Sequence, residues 1–560
     1  VSGWWESAVV YEVYPRSFAD ADGDGVGDLR GIIERIPYLA SLGVQGLWLT
    51  PFQRSPQVDQ GYDISDYCDV DPLFGTLGDL DELLAVAHAA GLRILVDIVP
   101  NHTSLENTLF EAALAAGPGS REREMFLFRE GRGEASELPP NNWLSVFGGP
   151  AWHRAAPDSP TDTEWYLHLF SPGQPDWNWE NPAVGEYFDR VIRFWFDRGV
   201  DGIRVDVAHG LFKAEGLPDS PTVPTVIDGL RSNPLAMDQE PVHEVYRHWR
   251  RVAEEYTPAR LLVGEVNLAP ERSARYTRPD ELHQTFAFAF AKLDWNPDAW
   301  VEVGSHLERV RDETGSAPSW ALENHDIVRT VTRFGGGVRG RRRARAAVVA
   351  LLGLPGAVYV YQGQELGLPE VDVPVALRAD PMWQHGGVSR DGARIPLPWT
   401  ESAAGTFGFS PEGAGLSWLP TPEGWGQLAV EVQEGDERSA LALFRRAARA
   451  REALVGEGLM RAGAAVAWSA GAGAGVGGGA GAGAAAAPGA GAGPGVSAAS
   501  GARAGAMSGR VVAEHGGLAV VLAMGDEAVA LPDGELVLSS EPLVEGLLPA
   551  DAAAWVRVSR

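Results

Sequence analysis

Two carboxylates with different surroundings dominate the chemistry that the sequence could do. Asp206 lies in Gly202-Ile203-Arg204-Val205-Asp206-Val207, a short apolar stretch with charges at alternate positions. A strand has a side-chain period of two, so Arg204 and Asp206 project to one face and Ile203, Val205 and Val207 to the other. Burying such a pair is costly unless it has partners or a task. A guanidinium beside Asp206 favours its ionised form, as a nucleophile needs; a plain buried ion pair is the alternative. Glu265 ends Leu261-Leu262-Val263-Gly264-Glu265, with no cation next to it in sequence. Neighbouring carboxylates would raise its pKa and keep it protonated. One ionised and one protonated carboxyl group are the minimum for cleaving a glycosidic bond. Further clusters stand after other apolar runs: Asp97, Asn101 and His102; His209; and Asn324, His325, Asp326 and Arg329.

Such a set needs a scaffold that gathers several strand ends. Val9–Pro15, Val44–Leu49 and Ile94–Val99 read as three buried strands, separated by helical patterns. One helix carries Leu29, Ile32, Ile33, Ile36 and Leu39; the other carries Leu80, Leu83, Leu84 and Ala87 behind Asp79 as cap. Residues 103–175 break the alternation and read as a loop-rich inserted domain. The alternation then resumes, with helices predicted at Tyr187–Arg198, Val242–Tyr256, Trp300–Glu313 and Arg341–Leu352. Strands four to eight are predicted at Gly202–Val207, Leu261–Glu265, Phe286–Phe290, Trp320–Glu323 and Ala357–Tyr361. The fold class expected is α/β, a (β/α)8 TIM barrel built from residues 1–102 and 176–450, whose site sits at the C-terminal strand ends. Residues 451–560 read as a C-terminal all-β domain whose clearest strand is Leu518–Leu522. A Gly/Ala-rich stretch at about 463–505 reads as a flexible insertion in it, because glycine at that density breaks helices and offers nothing to a core.

The chain has 560 residues, 45% apolar, with 19 Trp and a net charge of −29. That charge argues against nucleic acid or an anionic membrane as partner. No run rich in large apolar residues is long enough to span a bilayer, and Val1-Ser2-Gly3-Trp4-Trp5-Glu6 does not open as a secretory leader does. One cysteine, Cys68, is compatible with a reducing compartment, so a cytoplasmic location is expected. In Asp20-Ala21-Asp22-Gly23-Asp24-Gly25-Val26-Gly27-Asp28, alternate carboxylates with glycines at the turns can converge oxygens on a hard cation; a solvated turn is the alternative.

Four segments then carry a family resemblance: Asp97-Ile98-Val99-Pro100-Asn101-His102, Gly202–Asp206, Gly264-Glu265-Val266 and Glu323-Asn324-His325-Asp326. They resemble the signature regions of the α-amylase clan, glycoside hydrolase family 13. Gln174-Pro175-Asp176-Trp177-Asn178 is similar to a fifth region in its α-glucosidase and oligo-1,6-glucosidase form, with Trp177 in place of the usual Leu. The resemblance spans roughly residues 4–450. It implies a double displacement with Asp206 as nucleophile, Glu265 as acid/base and Asp326 as the residue that binds and distorts the sugar. It further implies Arg204, His102, His325 and Gln174 as substrate-binding residues and Tyr62 as a stacking platform. Asp59 and Arg329 are expected to clamp the non-reducing end, and Phe147 and Phe170 to add apolar walls. Asp20, Asp22, Asp24, the Val26 carbonyl and Asp28 match the clan's loop for a structural Ca2+ or Mg2+ ion; no organic cofactor is implied.

The expected activity is an exo-acting retaining α-glucosidase on short maltose-like or isomaltose-like substrates, as a monomer or homodimer. An oligo-1,6-glucosidase, a trehalose synthase or a transglucosylase would use the same machinery. A non-catalytic binding protein of the same fold is the reading from another class. The resemblance further implies a lean toward α-1,6 linkages from Val207 beside the nucleophile, where Thr or Ala would go with α-1,4, though one side chain shifts such a choice by only ~1–3 kcal/mol.

Overall fold

The computed structural model of the chain describes residues 3–159, 161–221, 225–227, 230–471 and 509–559. Seven parallel strands form the barrel wall: β1 (Val9–Val13), β2 (Gly46–Leu49), β3 (Arg93–Ile98), β4 (Gly202–Val205), β5 (Leu261–Gly264), β6 (Gln284–Thr285) and β7 (Val358–Tyr361). Each hydrogen-bonds its sequence neighbour from β1 to β6, and β7 returns to β1. The expected seventh strand is reduced to two parallel bridges, Ser319 to Phe286 and Trp320 to Val358, which join the two edges of the sheet. The predicted strand at Phe286–Phe290 is displaced: the ladder runs through Gln284, Thr285 and Phe286, and Phe288–Ala291 is one turn of helix. Its apolar run is buried on all sides, a pattern that does not separate strand from helix.

The helices between strands bury one stripe each. The long one before β4, Pro182–Asp197, carries Val184, Phe188, Val191, Ile192, Trp195 and Phe196 at helical spacing into the core. Asn181 caps it by accepting from the Ala183 N–H, and Pro182 takes a first-turn position where its missing N–H costs nothing. In the helix Leu77–Ala89 the cap is Thr76, not Asp79; Asp79 sits three residues in and reaches back to complete a capping box.

The inserted domain, residues 103–175, is less irregular than expected. It holds a helix, Thr108–Ala116, and a small antiparallel sheet of Phe128–Glu130, Glu164–Leu167 and Trp152–Arg154. The C-terminal sheet has the order Ala467–Gly471, Arg510–His515, Leu518–Ala523, Ala552–Val558, Gly534–Ser539, all antiparallel. Residues 467–471 of the Gly/Ala stretch thus form an edge strand, and its remainder, from 472 on, lies outside the described residues. Trp555 ties this sheet to the barrel, its indole N–H donating to the Val349 carbonyl at 2.8 Å. Among the described residues no helix is long and apolar enough to cross a membrane.

Candidate active site

Arg204 is the centre of the site. Register places it beside Asp97 on β3 and Val263 on β5, with Asp206 just past the end of β4. Its Nη1 reaches both oxygens of Asp97 (3.0 and 2.9 Å) and Oδ1 of Asp206 (2.6 Å), and its Nη2 reaches Oε2 of Glu265 (2.5 Å). Glu265 therefore does have a cation beside it, which its own sequence neighbours could not reveal. Gly264, just before Glu265, is set by close packing: a Cβ there would stand 2.5 Å from Leu282 Cδ1.

The proton between the two carboxyl groups follows from that sharing. Burial raises Asp206, and Glu265 and Asp97 raise it further against the pull of Arg204. Burial also opposes ionisation of Glu265, but Arg204, a hydrogen bond from Asp206 and the Val207 N–H outweigh it and lower its pKa. This reverses the assignment expected from the sequence. The reason is geometric: Glu265 has Nη2 to itself, whereas Asp206 divides Nη1 with Asp97. The pair holds one proton and titrates as a unit. The bend that delivers Asp206 is strained, since Val207 stands at φ +42°. That region costs a β-branched residue on the order of 1–3 kcal/mol.

Asp326 completes the carboxylate set. Burial would protonate it, but His325, Arg390 and Arg394 hold it ionised. Arg390 Nη1 and Arg394 Nη2 meet its Oδ1 at 3.0 and 2.7 Å. His325 is fixed by Glu12 of β1 through Nδ1 (2.5 Å) and faces the Tyr62 hydroxyl through Nε2 (2.9 Å), its ring stacked on that of Tyr62. His102 is buried and its pKa falls to about 3, so it is neutral; Nε2 lies 3.1 Å from the Tyr62 carbonyl and from Gln174 Nε2. Gln174 also donates to Asp59 (3.0 Å). Phe147 and Phe170 meet edge to face beside His102.

The expected clamp is corrected. Arg329 is buried away from Asp59 and holds the chain together by donating to the Gln362 and Ala393 carbonyls at 3.0 and 2.7 Å. Arg390 faces Asp59 instead, at 3.4 Å, with its guanidinium over the Phe147 ring. Buried Asp380 fixes Arg390 by accepting from its Nε (2.9 Å) and Nη2 (2.7 Å). Asp391 Oδ2 closes the same loop on itself, accepting from the Ala379 N–H and the Ser389 hydroxyl, both at 2.8 Å. Arg390, Arg394 and Glu12 were missed in the sequence. The available signals were a lone acid inside the apolar Val9–Val13 strand and two arginines four apart just before the apolar run Ile395–Trp399.

The cation loop is brought together in part. Carboxylate oxygens of Asp20, Asp22 and Asp28 lie within 4.8 Å of one another. Asp24 stands apart from them, its Oδ1 accepting from the Val26 N–H at 2.8 Å. Asp28 is at the same time the cap of the helix Leu29–Ser41, through the Gly31 N–H.

The alpha amylase catalytic domain model matches residues 12–458. The chain belongs to the α-amylase family. It is 38% identical over 464 residues to a probable alpha-glucosidase of Rhizobium meliloti, covering 79% of this chain and 81% of that one. It is 36% identical over 493 residues to the trehalose-6-phosphate hydrolase of Escherichia coli, covering 81% and 85%. Among solved structures, an alpha-glucosyl transfer enzyme superposes with a TM-score of 0.83 at 32% identity over the whole of both chains. Membership gives the clustered carboxylates of this α-amylase-type barrel a shared chemistry, the cleavage of α-glycosidic bonds.

Proposed function

We propose that this family member is an exo-acting, retaining α-glucosidase that releases glucose from the non-reducing end of short α-glucosides. The observation that carries the reading is Arg204, whose two guanidinium nitrogens hold Asp206 and Glu265 on one cation. Two carboxyl groups held on one guanidinium support the narrow spacing of retaining enzymes over the wide one of inverting enzymes. Moving the shared proton from Asp206 to Glu265 changes no net charge, so a bound sugar can select the reactive arrangement. Asp206 then attacks the anomeric carbon, the bond to the leaving oxygen breaks, and Glu265 gives that oxygen its proton. In the second half Glu265 takes a proton from water, the water oxygen joins the anomeric carbon, and Asp206 leaves as carboxylate. Asp326, His102 and His325 bind the glucose hydroxyls, and Tyr62 stacks on the ring. Asp59, Gln174 and Arg390, backed by Phe147 and Phe170, close the pocket behind the glucose, which makes the attack exo.

Asp20, Asp22 and Asp28 would hold a structural Ca2+ ion, or Mg2+; their all-oxygen donor set fits a hard cation. The ion would tie the loop to the start of a helix and takes no part in the reaction. We place the protein in the cytoplasm, as a monomer or homodimer acting on small sugars, on the support of its single half-buried cysteine and its acidic charge.

The test is p-nitrophenol release from the α-glucoside, with the anomer of the first glucose followed by NMR. Asp206→Asn should lower the rate by at least ~10⁴-fold, the scale of losing one member of a catalytic unit. A purified protein with no turnover, or one indistinguishable from Asp206→Asn, refutes the reading. Initial rates on maltose and isomaltose then decide the linkage.

A further inference from the structure

We infer that the cavity on one arginine-bearing face of the helix Gly337–Leu352 is a binding site for a phosphate monoester, separate from the sugar pocket. The helix carries five arginines between Arg339 and Arg345, in a chain whose net charge is −29. They fall on two sides. Arg339 and Arg343 both meet Asp551, each through Nε at 2.8 Å, and Arg339 also reaches Asp526 at 2.5 Å, so these two fasten the C-terminal domain. Val338, Arg341, Arg342 and Arg345 follow the i, i+3, i+4, i+7 spacing of another face. They line a cavity of about 480 Å³, to which Asp436 and Arg438 belong from the segment before the next helix and Glu541 from the C-terminal domain. The cavity shares no residue with the sugar pocket.

Charge decides what suits it. Arg341 and Arg342 have no carboxylate partner among the described residues, and Glu541 stands 4.0 Å from Arg345. The Arg345 guanidinium is spread instead over the Arg438 and Ser540 carbonyls, at 2.6 and 3.4 Å. Burial lowers its pKa against the pull of Glu541, and Arg446 and Arg342 repel it. Four guanidiniums against two carboxylates leave an excess of two positive charges around the cavity. One phosphate group carries about −1.5 to −2, and guanidinium forks take its oxygens in pairs. The cavity is of a size for a small organic ligand, larger than one phosphate needs. Val338 and Val432, 77% and 39% exposed, give the body of such a ligand apolar contact. A phosphate ester answers both the charge and the space; a bare anion answers only the charge.

The test is isothermal titration calorimetry of the full chain with adenosine monophosphate, orthophosphate and adenosine. The monophosphate should bind at least about tenfold tighter than either fragment, the scale of a hydrogen bond to a charged group. Its affinity should fall as salt rises from about 50 to about 300 mM. Arg341→Gln with Arg342→Gln should weaken it by about tenfold or more, with kcat/KM on p-nitrophenyl α-glucoside unchanged. Arg339→Gln removes a like charge from the other side of the helix and should change the affinity by less than about twofold. Val338→Asp sets a carboxylate at the cavity while suiting the first helical turn. It should weaken binding by about fivefold, and it carries the test if the double variant does not fold. Orthophosphate binding as tightly as the ester shows an adventitious ion only and overturns the proposal, and adenosine binding as tightly overturns the recognition of phosphate. An affinity that the arginine and Val338 variants leave unchanged, or no binding up to about 5 mM, overturns the site.

Discussion

Replacing Asp59 by Asn should cost much more at pH 8 than at pH 5.5. Burial pushes the Asp59 carboxyl up to about 7, against the pull of Arg390 and Arg394. A raised carboxyl is protonated below its pKa, so by titration alone the fraction ionised is ~0.9 at pH 8 and ~0.03 at pH 5.5. Hydrogen bonds from glucose hydroxyls to a carboxylate are worth about 1.5–3 kcal/mol. Taking ~2 kcal/mol gives about a 30-fold loss in kcat/KM at pH 8. At pH 5.5 the wild-type side chain is itself nearly neutral, and the same ~2 kcal/mol, weighted by the fraction ionised, leaves a ratio of about two. Asn is close in shape and can still accept from Gln174. The assay is kcat/KM for p-nitrophenyl α-glucoside across pH 5–8.5, taken as the wild-type to variant ratio, in which the titration of the Asp206–Glu265 pair cancels. A ratio near 30 at both ends would refute the argument, because Asp59 would then be ionised throughout.

Arg329→Met should destabilise the fold by about 3–5 kcal/mol in urea unfolding, since it strips the cation from buried Glu323, 3.6 Å away. The KM of the folded fraction should stay within about twofold, which separates this arginine from Arg390; a large KM change would restore the original clamp. Removing calcium with a chelator should lower the melting temperature. Free Ca2+ at about 100 times Kd should restore roughly 2.7 kcal/mol. Asp22→Asn should abolish that response, and equal melting curves with and without Ca2+ would show the loop to be a plain turn.

The barrel was legible because its elements repeat two periods many times, and because the polar residues stand where apolar strands end. Asp206, Glu265, Asp326, His102 and His325 come to one mouth for that reason. Two kinds of information were hidden. The charge neighbours of Glu265 lie across the sheet, on β4, so sequence adjacency misjudged its environment. Arg390 sits in an irregular loop 64 positions after Asp326, where no period fixes which way a side chain turns; Arg329, three residues from Asp326, looked nearer in sequence and is spent on carbonyls instead. The same limit displaced the sixth strand, whose apolar run fits helix and strand alike.

The loop from Ala379 to Asp391 has a life of its own. Asp391 knots its two ends, and Asp380 anchors the arginine it sends into the pocket. Between those anchors, Met382 and Val388 line the cavity beside Asp326. Residues 381–388 lie apart from the strand ends that carry the reacting carboxylates, but Met382 among them packs with Val146 and Phe147. A change confined to those eight positions therefore reaches the sugar pocket through Met382 and the Phe147 ring it packs on, while the reacting carboxylates keep a scaffold of their own.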